Sequence, residues 1–131
     1  MQNESFSMNP GKRLLIVDDE ETLTFSLYQA FIKAPIECEV LTASSGEEAL
    51  EKVQDNPFDL VITDLAMPGL NGLELLRWLK KHQPATQVVI ITAYGTDERR
   101  DAAMELGAEG YKEKPFDIHE MRTMVINMLR E

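Results

Sequence analysis

Short apolar runs alternate along this chain with stretches that have the spacing of an amphipathic helix. Each run has four residues or fewer, and as a group they are rich in valine and isoleucine; they lie at residues 14–17, 38–41, 60–62 and 88–91. Apolar residues in a run, rather than at every second position, are typical of strands that are covered on both faces. The pattern therefore predicts a parallel sheet flanked by helices.

The stretches between and after these runs have helical periodicity. They cover residues 21–33, 45–54, 72–82, 97–106 and 117–130. Ser45, followed three residues later by Glu48, is typical of a capping box, and Gly107 is a typical C-terminal cap residue. On the third helix, the spacing predicts a buried face formed by Leu73, Leu76 and Leu79.

A short fifth strand is expected at residues 110–112, which makes five strands and five helices in strict alternation. Such alternation predicts right-handed crossovers and a doubly wound (βα)5 five-stranded parallel sheet with helices on both faces. In sheets of this kind the ligand site lies at the carboxyl ends of the strands. The residues that follow each strand are therefore the first candidates for function.

The composition narrows the class of protein. With 131 residues the chain fits one domain, expected at 12–131 after a loose polar tail at 1–11. A net charge of −10 disfavours contact with nucleic acid or an anionic membrane, and no apolar run approaches the roughly 20 residues that span a bilayer. The single cysteine, Cys38, excludes an internal disulfide, so we expect it to be buried and inert in a cytoplasmic protein.

Polar residues follow four of the five predicted strands. Asp18 and Asp19 follow the first strand, Asp64 the third, Thr92 ends the fourth, and Lys114 follows the fifth. Because the carboxyl ends of parallel strands meet at one edge of the sheet, we expect these side chains to share a small pocket.

Clustered carboxylates without a histidine or cysteine ligand favour a hard divalent cation such as Mg²⁺. A cation, an ammonium and a hydroxyl can together orient a phosphoryl group while a carboxylate attacks it, which would give an aspartyl phosphate. His82 and His119 fall on predicted helices and are expected to be solvated. The alternative stays open that Asp18, Glu20 and Glu21 only cap the first helix, and that Thr92 and Lys114 are structural and solvated residues.

Four segments together resemble the receiver domain of bacterial two-component response regulators. They are LLIVDDE at 14–20, DLVITDLAMPGLNGLELL at 59–76, VVIITAYG at 88–95 and GAEGYKEKPF at 107–116. The resemblance extends over about residues 12–131, nearly the whole chain. It implies the chemotaxis-regulator fold, with the flavodoxin-like strand order 2-1-3-4-5.

The resemblance also implies a role for each residue at the strand ends. Asp64 would be the phosphoacceptor, with Mg²⁺, or Mn²⁺, held by Asp18, Asp19, Asp64 and the backbone carbonyl of Ala66. Thr92 would be the switch hydroxyl, Lys114 would pair with the phosphoryl group, and Tyr111 would turn inward with Thr92. The Lys114–Pro115 peptide bond would be cis, and Ala66 and Tyr94 would set the lifetime of the phosphorylated state.

The implied function is a phosphorylation switch, not a turnover enzyme, that catalyses only its own phosphorylation and dephosphorylation. A sensor histidine kinase or phosphotransfer protein would be the donor. Met121, Met124 and Met128 on the last helix are expected mainly to pack in the core. The surface at 96–131, which includes a methionine-containing face of this helix, would bind a second copy or an output domain outside this chain, for example one that regulates transcription. The alternative is a Mg²⁺-dependent phosphatase, although such enzymes usually have a DxD pair and a cap insertion that this sequence lacks.

Overall fold

The computed structural model describes residues 11–130, so all but one residue of the tail expected at 1–11 lies outside the described residues. Strands and helices alternate as predicted. The strands are β1 (Lys12–Val17), β2 (Cys38–Ala43), β3 (Leu60–Asp64), β4 (Gln87–Thr92) and β5 (Gly110–Glu113). The helices are α1 (Glu21–Ile32), α2 (Gly46–Asp55), α3 (Gly72–His82), α4 (Asp97–Leu106) and α5 (Ile118–Leu129).

The sheet has five parallel strands in the order β2-β1-β3-β4-β5, which confirms the predicted fold. The strands are longer than the apolar runs because their polar ends still pair; β4, for example, includes both Gln87 and Thr92. The pairing sets Val17 of β1 beside Thr63 of β3, and Asp64 beside Ile91 of β4. The carboxyl ends of the three central strands therefore lie side by side.

Two apolar layers cover the sheet. Helices α2, α3 and α4 contribute residues such as Val53, Leu76 and Ala103 to the cluster on one face. Helices α1 and α5 contribute Phe31 and Val125 to the cluster on the other. Burial on both faces explains why the central strands are apolar throughout. No helix within residues 11–130 is long and apolar enough to cross a membrane.

One of the three residues predicted for the buried face of α3 was wrong. Leu76 and Leu79 are fully buried, but the third leucine of the buried face is Leu75, whereas Leu73 is half-buried. Counted from Gly72, the first residue of the helix, the buried residues stand at i, i+3, i+4 and i+7, which is the spacing of a single helical face.

Cys38 and the start of α2 also differ from expectation. Cys38 is half-buried rather than buried, because β2 is an edge strand of the sheet. Ser45 accepts a hydrogen bond from the Glu48 backbone N–H, as predicted. The Glu48 carboxylate, however, accepts from the backbone and hydroxyl of Ser44 and does not complete a capping box.

The methionines of α5 belong to the core and not to an exposed surface. Met121 is fully buried in the cluster shared with α1, and Met124 and Met128 pack against the same cluster. The expectation that these methionines pack in the core is therefore confirmed. The interaction surface at 96–131 stays a prediction, and among these three side chains only Met124 and Met128, which are half-buried, could contribute to it.

Candidate functional site

Three aspartates converge at the carboxyl ends of β1 and β3. Asp18 and Asp19 follow β1 directly, and Asp64 is the last residue of the adjacent strand β3. One carboxylate oxygen from each lies within 4.8 Å of those of the other two. Asp18 and Asp64 are buried, with exposed fractions of 1% and 6%, whereas Asp19 is open to solvent. Such an oxygen-only cluster has the donor chemistry that a hard divalent cation prefers.

The ammonium of Lys114 lies among the carboxylates. Its Nζ is 2.8 Å from Asp18 Oδ2, 3.3 Å from Asp64 Oδ2 and 3.0 Å from Glu20 Oε1. The Lys114 backbone N–H donates to the Thr92 carbonyl at 2.8 Å, which ties the end of β5 to the end of β4. The Lys114–Pro115 peptide bond is cis. Only 13% of the lysine side chain is exposed, so the cation is held inside the pocket.

Burial dominates the electrostatics of the two inner aspartates. Loss of hydration raises the pKa of both Asp18 and Asp64, although the hydrogen bonds and charge of Lys114 oppose the shift. Burial alone would lower the pKa of Lys114, but its hydrogen bonds to Asp18 and Glu20 outweigh that effect and raise the pKa. The lysine is therefore protonated, and one cation faces three neighbouring carboxylates.

Thr92 and Tyr111 occupy neighbouring strands beside this pocket. Thr92 is fully buried, and its Oγ1 accepts the backbone N–H of Tyr94 at 3.0 Å. Tyr111 pairs with Ile90 on β4, and its buried hydroxyl has no hydrogen-bond partner among the described residues. That hydroxyl lies under Gly95, where a Cβ atom would come within 2.6 Å of it.

The loop between β3 and α3 forms another wall of the pocket. The Ala66 N–H donates to Asp64 Oδ1 at 3.3 Å, and Ala66 itself is exposed. The Glu47 carboxylate at the start of α2 accepts the Leu70 N–H at 2.9 Å, and this hydrogen bond lowers the pKa of Glu47. Gly72 fits against the Asp64 carbonyl, where a side chain would clash. The loop is thus held at both ends.

The structure brings together the strand-end residues that the sequence singled out. The alternative that the acids after β1 only cap α1 applies in part to Asp18 and does not apply to the Glu20 side chain. Glu20 is the N-cap of α1, but its side chain makes no capping hydrogen bond. Asp18 Oδ1 does accept the Glu20 N–H at 2.8 Å, so Asp18 also orders the start of this helix. His82 and His119 are exposed, and His82 stacks on Trp78 on α3.

Glu20 is the pocket residue that sequence reasoning missed as a partner of Lys114. It stands in the DDE segment, where an acid before a helix is expected to cap it. One feature of the sequence could have indicated a different role. Glutamate is a poorer capping residue than the shorter serine or aspartate, so capping was a weak explanation for Glu20.

Comparison with known proteins places this geometry in a family. The model of the response regulator receiver domain matches residues 14–126. Response regulator ArlR of Staphylococcus saprophyticus is 37% identical over 90% of this chain and 52% of its own length. Sporulation initiation phosphotransferase F of Bacillus subtilis is 36% identical over 88% of this chain and 91% of its own length. The crystal structure of a putative response regulator from Chloroflexus aurantiacus covers 94% of this chain and 100% of its own, with 34% identity and a TM-score of 0.81.

The chain belongs to the response regulator receiver domain family. It is a phosphorylation-dependent switch domain of two-component signalling, and the relatives support this function rather than the phosphatase alternative. The chain spans about half of the length of the first of these relatives.

Proposed function

We propose that Asp64 accepts the phosphoryl group and that the strand-end residues around it carry out the transfer. The observation that carries the proposal is the Lys114 ammonium, which lies 3.3 Å from Asp64 Oδ2 inside a pocket that also contains Asp18 and Asp19. Phosphoryl transfer depends mainly on positioning and on neutralising charge. A buried carboxylate beside a fixed cation meets both needs.

The acidic cluster fits a resident Mg²⁺ or Mn²⁺. Asp18, Asp19, Asp64 and the backbone carbonyl of Ala66 would hold it, and their oxygen-only donor set suits either ion. When bound, the ion supplies positive charge that offsets the carboxylates and the incoming phosphoryl oxygens.

In the transfer step, a carboxylate oxygen of Asp64 attacks phosphorus while the bond from phosphorus to the donor breaks. A sensor histidine kinase or a phosphotransfer protein would release its neutral histidine, and acetyl phosphate would release acetate. Lys114 then donates a hydrogen bond to a phosphoryl oxygen, and the Thr92 hydroxyl donates another. Hydrolysis returns the Asp64 carboxylate and inorganic phosphate, so the domain catalyses only its own modification and its reversal.

The surface at residues 96–131, of which the structure describes 96–130, is the proposed site for a second copy or an output domain. Helix α4 contributes a single buried residue, Ala103, and leaves Met104 47% exposed. A helix that buries so little surface can shift at low cost when Thr92 and Tyr111 move. An output domain would lie outside this chain. The net charge of −10 disfavours nucleic-acid contact by the receiver domain itself.

The phosphoacceptor is tested with acetyl phosphate and Mg²⁺, followed by intact mass. The wild type is expected to gain the mass of one phosphoryl group, and Asp64→Asn to gain none. Asp55→Asn is the matched control, because Asp55 is an exposed acid at the end of α2. A wild type without added mass, or an Asp64→Asn variant that gains as much, would refute the assignment.

The lifetime of the phosphorylated form is expected to be minutes to hours. Ala66 offers only a methyl group beside Asp64, and Tyr94 is 71% exposed, so neither side chain is set to orient a hydrolytic water at the phosphorus. Ala66→Asn is expected to shorten the lifetime, whereas Ala85→Asn, at an exposed turn, leaves it unchanged. A wild-type half-life of a few seconds, measured by intact mass after removal of the donor, would contradict this prediction.

A further inference from the structure

The side chain of Glu20 serves Lys114 and not its own helix. Glu20 is the N-cap of α1, a position where a side-chain oxygen normally accepts a backbone N–H, yet it makes no such bond. Instead its Oε1 lies 3.0 Å from Lys114 Nζ, 94 residues away in sequence. The start of α1 gives up a capping bond, and the lysine gains a third carboxylate.

Lys114 donates hydrogen bonds to Glu20 Oε1 and Asp64 Oδ2, and its Nζ also lies 2.8 Å from Asp18 Oδ2 in an ion pair. An ammonium carries three N–H groups, and its three carboxylate neighbours are Asp18, Asp64 and Glu20. The side chains of Asp18 and Asp64 are 0% and 8% exposed, and burial holds them against the lysine. Glu20 is 63% exposed and can turn into water. A phosphoryl oxygen that needs an N–H of Lys114 can therefore displace Glu20 at the lowest cost.

We propose that Glu20 is a positioning residue that competes with the phosphoryl group for Lys114 and so restrains phosphorylation of the domain. This inference rests on the proposed role of Asp64. Before transfer, Glu20 holds the ammonium toward the mouth of the pocket. After transfer, a phosphoryl oxygen replaces the glutamate at one N–H of Lys114. Phosphorylated Asp64 no longer carries a carboxylate charge of its own, so Asp18 and the phosphoryl group are then the anionic partners of the lysine. The position of this equilibrium depends on the strength of the Glu20–Lys114 contact.

The expected effect is modest because the contact is partly exposed. Exposed ion pairs correspond to about a two- to fivefold change in an equilibrium. Glu20→Gln is expected to raise the affinity for beryllofluoride, which stands in for the phosphoryl group, and the rate of phosphorylation by acetyl phosphate, each by about that factor. Glu20→Asp keeps the charge but shortens the reach, so it is expected to change both quantities in the same direction.

The matched control is Glu21→Gln. Glu21 is the first residue of α1, is exposed, and forms no ion pair within residues 11–130. Its loss removes one negative charge from the same helix start without touching Lys114. If only the net charge matters, Glu21→Gln and Glu20→Gln will change the beryllofluoride affinity equally. If Glu20 competes for Lys114, the two variants will differ in this affinity, and Glu20→Asp will behave like Glu20→Gln.

The experiment titrates beryllofluoride in the presence of Mg²⁺, followed by ¹⁹F NMR, for the wild type and the three variants. The Lys114 side-chain NMR signal is also recorded without metal or donor, where Glu20→Gln and Glu20→Asp should shift it and Glu21→Gln should not. Equal beryllofluoride affinity in Glu20→Gln and Glu21→Gln, while the wild type is phosphorylated on Asp64, would overturn the competition and leave the phosphoacceptor assignment standing. A wild type that binds no beryllofluoride and gains no phosphoryl mass would overturn both.

Discussion

Burial, opposed by a single lysine, sets the electrostatics of the pocket. Lys114 neutralises part of the charge of Asp18 and Asp64, but it cannot cancel the loss of hydration that raises the pKa of both carboxyls. Two ionised carboxylates held close together in a buried site are costly to the folded state. The residues that prepare the domain for a cation and a phosphoryl group therefore make it less stable when it has neither.

The first prediction concerns Asp64→Asn. Because the pKa of Asp64 is raised in the folded state, the folded protein binds this proton more tightly than the unfolded chain, and ionisation of Asp64 destabilises the fold. The penalty develops as pH rises through the ordinary value of 3.8 and is fully present above the folded pKa. Without metal at pH 7.5, the variant is therefore expected to be more stable than the wild type.

Urea unfolding of both proteins in EDTA measures the difference. The difference should shrink as pH falls and disappear below the ordinary value of 3.8, where the carboxyl is protonated in both states. Asp55→Asn serves again as the exposed control. Equal stabilities of wild type and Asp64→Asn at pH 7.5, or a difference that does not depend on pH, would contradict the prediction.

The residues of the pocket differ in how far the sequence could predict them. Asp18, Asp64 and Lys114 were predictable because strand ends of a parallel sheet meet by geometry alone. Glu20 was not, since its side chain contacts a lysine that is close only in the folded chain.

Cys38, outside the pocket, was misjudged because apolar character predicts burial, but not whether a strand lies at the edge of the sheet.

At the scale of elements, α3 is a helix beside the site whose start is fixed by side-chain hydrogen bonds. Asn71 accepts the Glu74 N–H and Glu74 accepts the Asn71 N–H, both at 2.9 Å, which forms a full capping box. Gly72 lets the helix start directly against the Asp64 carbonyl. The predicted bounds of this helix were right, because caps are local signals. One of the three residues predicted for its buried face was wrong, Leu73 in place of Leu75, because the face depends on how the helix rotates against the sheet.

The second prediction is that Asn71→Ala destabilises the domain. Loss of the cap leaves helical N–H groups without their partner and is expected to lower the free energy of unfolding by about 1 kcal/mol. Asn127→Ala, an exposed position within α5, is the control and should change it by less than about 0.5 kcal/mol. Urea unfolding checks both, and an Asn71→Ala variant as stable as the control would show that the box contributes nothing.

At the scale of the whole molecule, the site exists only when the fold is complete. Its acids come from β1 and β3, its lysine from the end of β5, and its hydroxyl from β4. In the unfolded chain these residues are dozens of positions apart. A ligand that needs them together binds the folded state and stabilises it through mass action.

The third prediction follows from this linkage. Mg²⁺ at ten times its Kd is expected to raise the free energy of unfolding of the wild type by about 1.4 kcal/mol. Asp19→Asn should lose most of this gain, because Asp19 is an exposed member of the acidic cluster whose removal leaves the partners of Lys114 in place. Asp101→Asn, on the exposed side of α4, should keep it. Urea unfolding with Mg²⁺ or EDTA measures each gain. Both variants remove one negative charge, but only Asp19 lies among the carboxylates at the strand ends. Equal gains in the two variants would therefore mean that the ion binds elsewhere.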